Sequence, residues 1–380
     1  MRICIVYDCL YPYTIGGAER WYRGLAERAA ARGHDVTYLT RRQWQAGDEP
    51  GIAGVRAVPV SSGGALYASD GRRRTMPPLQ FGAGVLEHLF RRGDGYDVVH
   101  TASFPYFSVL AAAGARRRHG FRLFVDWHEV WTRDYWHSYL GALGGRGGWA
   151  VQRACLRVPQ RAYCFSRLHE ERLRDNGVTD VTRLEGQYQD GVDPVTLSPL
   201  APTVVFVGRL IPEKNAPALV AAVARVRDRI PDVRLEIYGD GPDSERVRRS
   251  VEEQRLTDVV ALRGFVERAA LEHAIARSLC LVLPSRREGY GLVILEASAR
   301  GVPSVVARGP DNAAVELVED GANGCIALSP APGDLADAIG RVYDAGVALR
   351  VSTVKWFEEN RARLSLDSSA ERVLADYAHA

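Results

Sequence analysis

The stretch Cys280-Leu-Val-Leu-Pro-Ser-Arg-Arg-Glu-Gly-Tyr-Gly-Leu-Val-Ile-Leu-Glu296, followed by Ser304-Val-Val-Ala307, reads as one β-α-β unit. The run Cys280–Leu283 is short, apolar and closed by Pro284, as expected of a buried strand. Leu292–Arg300 is strongly helical, and Ser304–Ala307 is the next strand. Glu288 therefore falls in the strand-to-helix loop, and Glu296 in the first turns of the helix. Gly289 and Gly291 let the backbone at that loop approach a ligand closely, and N–H groups at a helix start can bind phosphate.

The same alternation runs outward in both directions. Strands are expected at Thr203–Gly208, Arg234–Tyr238 and Val259–Arg263, with helices at Ala216–Arg229, Asp243–Gln254 and Arg268–Ala276. Towards the N-terminus, strands are expected at Ile3–Tyr7, Val36–Leu39, Val55–Pro59, Val98–His100, Leu123–Asp126 and Ala162–Phe165, with a helix over Ala18–Arg32. Regular β-α alternation implies an α/β fold with two doubly wound parallel sheets and helices on both faces. The chain of 380 residues is too long for one ordinary core,. The proline-rich segment Gly191–Pro202 reads as the linker between two domains. A helical stretch from about Leu349 to His379 follows the last sheet element. In doubly wound sheets ligands bind beyond the carboxyl ends of the strands, so two such domains facing each other would enclose a cleft.

Hydrophobic residues make up 46% and charged residues 25%, the composition of a soluble globular protein,. No segment reads as membrane-spanning, and the N-terminal run meets Asp8 too soon to be a signal peptide; a cytoplasmic location is the expectation, with peripheral membrane contact left open. The six cysteines are scattered without a Cys-x-x-Cys pair, so reduced, buried thiols are expected rather than a metal or disulfide site,. Residues 1–190 carry 26 Arg, no Lys and 19 acids, a net +7, whereas residues 191–380 carry 23 basic and 27 acidic residues, a net −4. A basic first half suits an anionic partner such as a phospholipid surface or a phosphorylated acceptor. Nothing points to nucleic acid.

The candidate chemistry follows from residue type and place. Arg209, in Phe206-Val-Gly-Arg-Leu-Ile-Pro-Glu-Lys214, directly follows a strand, with Lys214 close behind. Two cations can hold a diphosphate and stabilise the charge it gains as it leaves, without a metal. Carboxylates such as Glu288 and Glu296 pair well with vicinal hydroxyls, which a sugar and a ribose each offer. Together the four suit a nucleotide-activated sugar. Gly16-Gly-Ala-Glu-Arg20 joins the first strand to the first helix and can fold over a ligand. His128 follows the strand Leu123–Asp126 and is a candidate to bind a sugar hydroxyl, with His100 as the competing histidine. The aromatic run Trp127, Trp131, Tyr135, Trp136, Tyr139, Trp149 suits stacking on an acceptor sugar, a membrane interface or core packing. Ser61–Arg74 and Gly141–Gly148 are glycine-rich candidates for mobile acceptor loops. There is no Gly-x-Gly-x-x-Gly, which disfavours a dinucleotide dehydrogenase, and no Asp-x-Asp, so no metal requirement is expected.

Gly16–Arg20, Phe206–Leu210 with Lys214, Tyr238-Gly-Asp-Gly-Pro242, Glu288–Glu296 and Asp320-Gly-Ala-Asn-Gly324, in that order and spacing, resemble the retaining glycosyltransferases of family 4, which have the two-domain GT-B fold. The resemblance implies an acceptor-binding domain over 1–192, completed by about 365–380, and a donor-binding domain over 193–364. It implies that Glu288 contacts the donor sugar and Glu296 the ribose. Arg209 and Lys214 would hold the diphosphate, with Gly289, Tyr290 and the amides of Gly291 and Leu292 around them. Arg263, Phe265 and Val266 would border the base. Gly16 and Gly17 would close over the donor, and His128 matches the family's site histidine. The implied reaction moves a sugar, with retention and without a metal or other cofactor, from a nucleoside-diphosphate sugar to a hydroxyl of a sugar, lipid-linked or small-molecule acceptor. Envelope polysaccharide or glycolipid synthesis is the expected setting. A natural-product glycosyltransferase, a nucleotide-sugar epimerase and a non-catalytic binding module are the alternatives. Two segments depart from the pattern: Leu184–Asp193 stands where Pro-Asn-Gly-Val-Asp is usual, and Gly309–Glu316 where Gly-Gly-x-Pro-Glu is usual.

Overall fold

The computed structural model describes residues 1–45, 47–66, 74–189 and 201–379. Of these, 1–45, 47–66, 74–187 and 364–379 form one compact unit, and 188–189 and 201–363 the other. The expected domain boundary at 192/193 and nearly all of the expected linker lie outside the described residues.

In the first unit β1 (Arg2–Val6) leads to α1 (Gly17–Ala31), then β2 (Asp35–Arg41), β3 (Val55–Ser61) and α2 (Met76–Arg92). The chain continues through β4 (Val98–Ala102), α3 (Phe107–His119), β5 (Arg122–Trp127), α4 (Arg133–Leu156), β6 (Arg161–Cys164), α5 (Arg167–Asp175) and β7 (Val181–Arg183). The seven strands pair in the order β3-β2-β1-β4-β5-β6-β7, every pairing parallel. The strand order reverses between β1 and β4, the place where doubly wound sheets open to ligands.

The second unit runs β8 (Thr203–Val207), α6 (Ala216–Val226), β9 (Arg234–Tyr238), α7 (Ser244–Glu253), β10 (Val260–Gly264), α8 (Arg268–Ala276) and β11 (Cys280–Leu283). Then come β12 (Arg287–Glu288), α9 (Leu292–Ser298), β13 (Ser304–Ala307), β14 (Asp311–Asn312), β15 (Gly324–Ala327) and α10 (Pro332–Leu364). Its sheet has the order β10-β9-β8-β11-β13-β15, again parallel, with the reversal between β8 and β11. The apolar stripe of α6 (Leu219, Val220, Val223, Val226) packs with Val204 and Phe206 of β8 and Leu235 and Ile237 of β9 in one core. Each such side chain contributes roughly 1.5–3 kcal/mol on burial.

The last helix, α11 (Leu366–His379), belongs to the first unit and packs on α1. Arg28 pairs with Asp367, and Arg32 with Glu371 at 3.2 Å. Ser369 Oγ accepts from the backbone N–H of Gly186 at 3.0 Å. A Cβ at Gly186 would lie 2.0 Å from the Ser365 carbonyl oxygen, so only glycine lets this segment reach the turn before α11.

Three expectations are corrected. Gly141–Gly148 is not a loop but lies inside α4, which breaks at Gly141 (φ 74°, ψ −178°) and resumes. The glycines serve close packing: a Cβ at Gly145 would lie 2.7 Å from the His137 Cα, and one at Gly148 would lie 2.2 Å from the Trp136 ring. The C-terminal helical stretch begins at Pro332, not near Leu349, and is interrupted at Gly346 (φ 52°) and again between α10 and α11. Glu288 is not in an open loop but in β12, which pairs with β14. Of Ser61–Arg74, residues 67–73 lie outside the described residues.

Candidate active site

The second unit assembles its candidate residues at the strand reversal. β8 and β11 are hydrogen-bonded neighbours, so the segments leaving them emerge side by side. From β8 the chain passes through Gly208, the exposed Arg209 and a 3-10 turn, Pro212–Lys214. Asn215 closes that turn in the left-handed region (φ 54°), and its side-chain amide donates to the carbonyls of Pro284 and Pro330, both at 3.3 Å. From β11 the chain passes to β12. Lys214 Nζ there forms an ion pair with Glu288 Oε2, with the side chains 19% and 15% exposed. Ser285 Oγ stands 3.5 Å from the same oxygen. The backbone N–H of Arg286 donates to the Glu213 carbonyl at 2.8 Å, which joins the two segments.

The unusual segment Gly309–Glu316 supports Glu288 from below. Asn312, buried in β14, donates to the carbonyls of Ser285 (3.0 Å) and Ala307 (2.7 Å) and accepts from the Ala314 N–H (3.1 Å). One amide thus fixes the loop after β11, the end of β13 and the start of the next turn. Gly291 precedes α9 with φ 99°, a conformation that side chains disfavour, and a Cβ there would stand 3.0 Å from Ala314,. Tyr290 is buried, whereas Gly289, Leu292 and Glu296 are half-buried. Glu296 sits on α9, and its backbone carbonyl accepts from Arg300 at 2.8 Å.

Tyr238-Gly-Asp-Gly-Pro242 is a packing motif for the same edge. A Cβ at Gly239 would lie 2.0 Å from the Gly208 carbonyl oxygen, and one at Gly241 would lie 2.3 Å from that of Leu210. The exit of β9 therefore lies directly against the Arg209 segment. Farther along, Glu236 accepts from Arg263 (2.6 Å) and from Tyr238 Oη (2.7 Å). Burial alone would raise the Glu236 carboxyl, but those donors hold it below its usual range, and the Tyr238 phenol, desolvated beside this carboxylate, is pushed up to about 12. Phe265 is 71% exposed and Val266 exposed, at the outer strand rather than at the reversal. Arg263, Phe265 and Val266 are thus not among the residues gathered around Glu288.

In the first unit, Gly16 caps α1 in extended conformation and Gly17 opens the helix. A Cβ at Gly16 would lie 2.3 Å from Glu19 Oε2. His128 follows β5. Its imidazole stacks on Phe165 (centroids 4.8 Å apart, 4° between planes) and meets the Tyr22 ring edge-on at 5.9 Å. Its Nε2 is buried with no hydrogen-bond partner among the described residues. Burial depresses the His128 pKa, and Asp126 and Glu129 only partly offset that. His100, the competing histidine, does not end its strand. It sits in the middle of β4, fully buried, with Nε2 2.8 Å from Asp126 Oδ1 and Nδ1 bonded to the Tyr377 hydroxyl.

Sequence reasoning passed over Asp126, although a charge closing the apolar run Leu123-Phe-Val is the signal that marks it. Of the aromatic run two members are core and four, Trp131, Tyr135, Tyr139 and Trp149, are half-buried. Trp127 and Trp136 are buried, and Gln152 at zero exposure accepts from Tyr106 Oη (2.8 Å), Trp131 N (3.1 Å) and Trp136 Nε1 (3.1 Å). All six cysteines are buried and unbridged. No helix among the described residues is long and apolar enough to cross a membrane.

Comparison with known proteins agrees with this architecture. Residues 16–184 match the glycosyl transferase 4-like domain, and residues 196–355 match glycosyl transferases group 1. Among curated proteins, the alpha-D-kanosaminyltransferase of Streptomyces kanamyceticus is 29% identical over 185 residues, which cover 49% of this chain and 46% of that protein. The GDP-mannose-dependent alpha-(1-6)-phosphatidylinositol monomannoside mannosyltransferase of Mycolicibacterium smegmatis is 36% identical over 163 residues, 39% of this chain and 42% of that protein. The chain thus spans less than half the length of either relative. Among solved structures, sucrose-phosphate synthase from Thermosynechococcus elongatus superposes with a TM-score of 0.83 at 21% identity, over 100% of this chain and 98% of that one. HepE of Anabaena, in complex with UDP and glucose, superposes with a TM-score of 0.74 at 16% identity, over 100% and 99%. With two parallel Rossmann-like sheets the chain has the GT-B fold, and each half of it matches a glycosyltransferase domain.

Proposed function

We propose that the protein is a retaining glycosyltransferase that moves a sugar from a nucleoside-diphosphate sugar to a hydroxyl acceptor without a metal. The observation that carries this reading is the Lys214–Glu288 pair beside Arg209 at the β8/β11 reversal. A cation and a carboxylate held together on anchored backbone offer one group for a diphosphate and one for sugar hydroxyls. Arg209 and Lys214 would neutralise the charge that builds on the departing diphosphate. Glu296 would take the ribose hydroxyls, and the exposed Phe265, with Arg263 and Val266, would border the base. The second unit would bind the donor, and the first would bind the acceptor, with His128 beside it. A burial-depressed imidazole is neutral near pH 7, suited to a hydrogen bond with a sugar hydroxyl. Retention is proposed on the family resemblance.

The mannosyltransferase relative, whose name specifies a phosphatidylinositol mannoside, favours a glycolipid acceptor in envelope synthesis at the inner face of a membrane. The kanosaminyltransferase relative supports a small-molecule acceptor as the second reading.

The test is a thermal-shift screen with UDP-, GDP-, ADP- and dTDP-sugars under chelation, followed by product analysis with lipid-linked and soluble acceptors. A donor at 100 times its Kd stabilises the fold by about 2.7 kcal/mol. One responder that is lost in Arg209→Ala and yields a product of unchanged anomeric configuration is the expected result. Conversion of the sugar without an acceptor would instead make the protein an epimerase, and an inverted product would remove the retaining mechanism.

A further inference from the structure

Beneath His128 lies a polar chain that the transfer reaction does not itself use. Trp21 of α1, His100 of β4, Asp126 of β5 and Tyr377 of α11 are all at zero exposure. Trp21 Nε1 donates to Asp126 Oδ2 at 2.6 Å, and His100 Nε2 meets Asp126 Oδ1 at 2.8 Å. An ionised carboxylate only accepts, so His100 donates from Nε2, and its Nδ1 is hydrogen-bonded to the Tyr377 hydroxyl,. Burial alone would raise the Asp126 pKa, but His100 and Trp21 hold it below the ordinary value.

This chain reaches His128 through rings. Trp21 packs edge-on against Phe165 at 5.3 Å, the ring on which His128 stacks. The Tyr22 ring meets His100 at 6.1 Å and His128 at 5.9 Å, both edge-on. With Nε2 unpartnered among the described residues, His128 has no hydrogen bond at that atom to set its plane. Its orientation comes from the two rings that clamp it, and those rings rest on the buried chain.

We infer that Tyr377, on the last helix, is a positioning residue for His128, acting through His100, Asp126 and the Trp21–Phe165 and Tyr22 contacts. The inference rests on the proposed role of His128 at the acceptor. A simple docking bond between α11 and the sheet is the alternative, and the structure supplies its control. Tyr163 Oη donates to Asp376 Oδ2 at 2.9 Å, so the neighbouring residue of α11 is tied to β6 without passing through Asp126.

The experiment compares Tyr377→Phe and Tyr163→Phe in the full chain. Each removes one hydroxyl bond to the same helix and keeps the ring. The readouts are the imidazole nitrogen resonances of His128 at fixed pH, in histidine-labelled protein assigned with His128→Gln, and the split between kcat and donor KM. Tyr377→Phe should displace the His128 resonances and lower kcat roughly 10- to 100-fold, with donor KM unchanged. Tyr163→Phe should leave both as they are while costing similar stability. Unmoved His128 resonances in Tyr377→Phe, whatever its melting temperature, overturn the inference, as do equal displacements in the two variants. Should Tyr377→Phe fail to fold, His100→Gln breaks the same path one link on and is read the same way. If no donor supports transfer, the functional proposal fails, while the resonances still decide whether Tyr377 positions His128.

Discussion

The two sheets solve the same problem, holding polar groups at a strand reversal, by opposite means. In the second unit the charged side chains stay partly wet: Arg209 is exposed, and Lys214 and Glu288 keep 19% and 15% of their surface. What is locked there is backbone, by the amides of Asn215 and Asn312 and by glycines at 239, 241 and 291. In the first unit the polar groups are dry, and side chains lock one another: Trp21, His100, Asp126 and Tyr377 have no exposure. The difference suits each side to the role proposed for it. A charged ligand is best met by groups that have not been fully desolvated, held on a rigid frame. A neutral imidazole is best held by neighbours that never exchange with water.

The contrast can be broken from the first unit. Asp126→Ala should destabilise the protein by about 3–5 kcal/mol, since it strands His100 and Trp21 in a dry core, and a urea melt reads it. A loss below 1 kcal/mol would mean that the buried chain is not structural. Arg209→Ala should fold normally but lose about 10²–10³ in kcat, a larger factor than its loss of donor affinity, measured by steady-state kinetics beside donor titration. Unchanged turnover would remove Arg209 from the site. Gly291→Ala, at φ 99°, should cost on the order of 1–3 kcal/mol,, seen as a lower Tm. An unchanged Tm would show that the backbone at α9 is not locked.

Acidity separates the two units further. The folded pKa of His128 is below its ordinary 6.5, so below pH 6.5 the unfolded chain takes up a proton that the folded one refuses, and stability falls,. The folded pKa of Asp126 is below 3.8, so its contribution is present above that value and is lost as pH falls beneath it,. His128→Gln should flatten the stability profile just below pH 6.5 and leave the steeper loss below pH 3.8. The smallest effect is expected on the surface of the second unit, where breaking the half-exposed Arg341–Asp320 pair should change stability by less than about 1 kcal/mol,.

Much of the second unit is legible in the sequence because its signals are local. Cys280–Leu283 and Ser304–Ala307 are largely apolar runs, Arg234–Tyr238 alternates charged and apolar residues, and the strands form there. Arg209, Lys214 and Glu288 are legible by their place just after such runs. β12 and β14 are not legible, being two residues each and held by the Asn312 side chain rather than by pattern. Gly141–Gly148 misleads because glycine serves two ends: it loosens a chain, and it lets two helical segments touch, as Gly145 and Gly148 do against Trp136 and His137. The buried chain under His128 is invisible for a different reason. Tyr377 and His100 stand 277 positions apart, and no window along a sequence spans that distance.

The membership of residues 364–379 in the first unit bears on synthesis. A ribosome makes residues 1–187, then the whole of the second unit, and only afterwards the helix that carries Tyr377. Throughout that interval the nascent first unit holds His100 without its hydroxyl partner and α1 without its cover. A growing chain therefore finishes its second unit before its first is sealed.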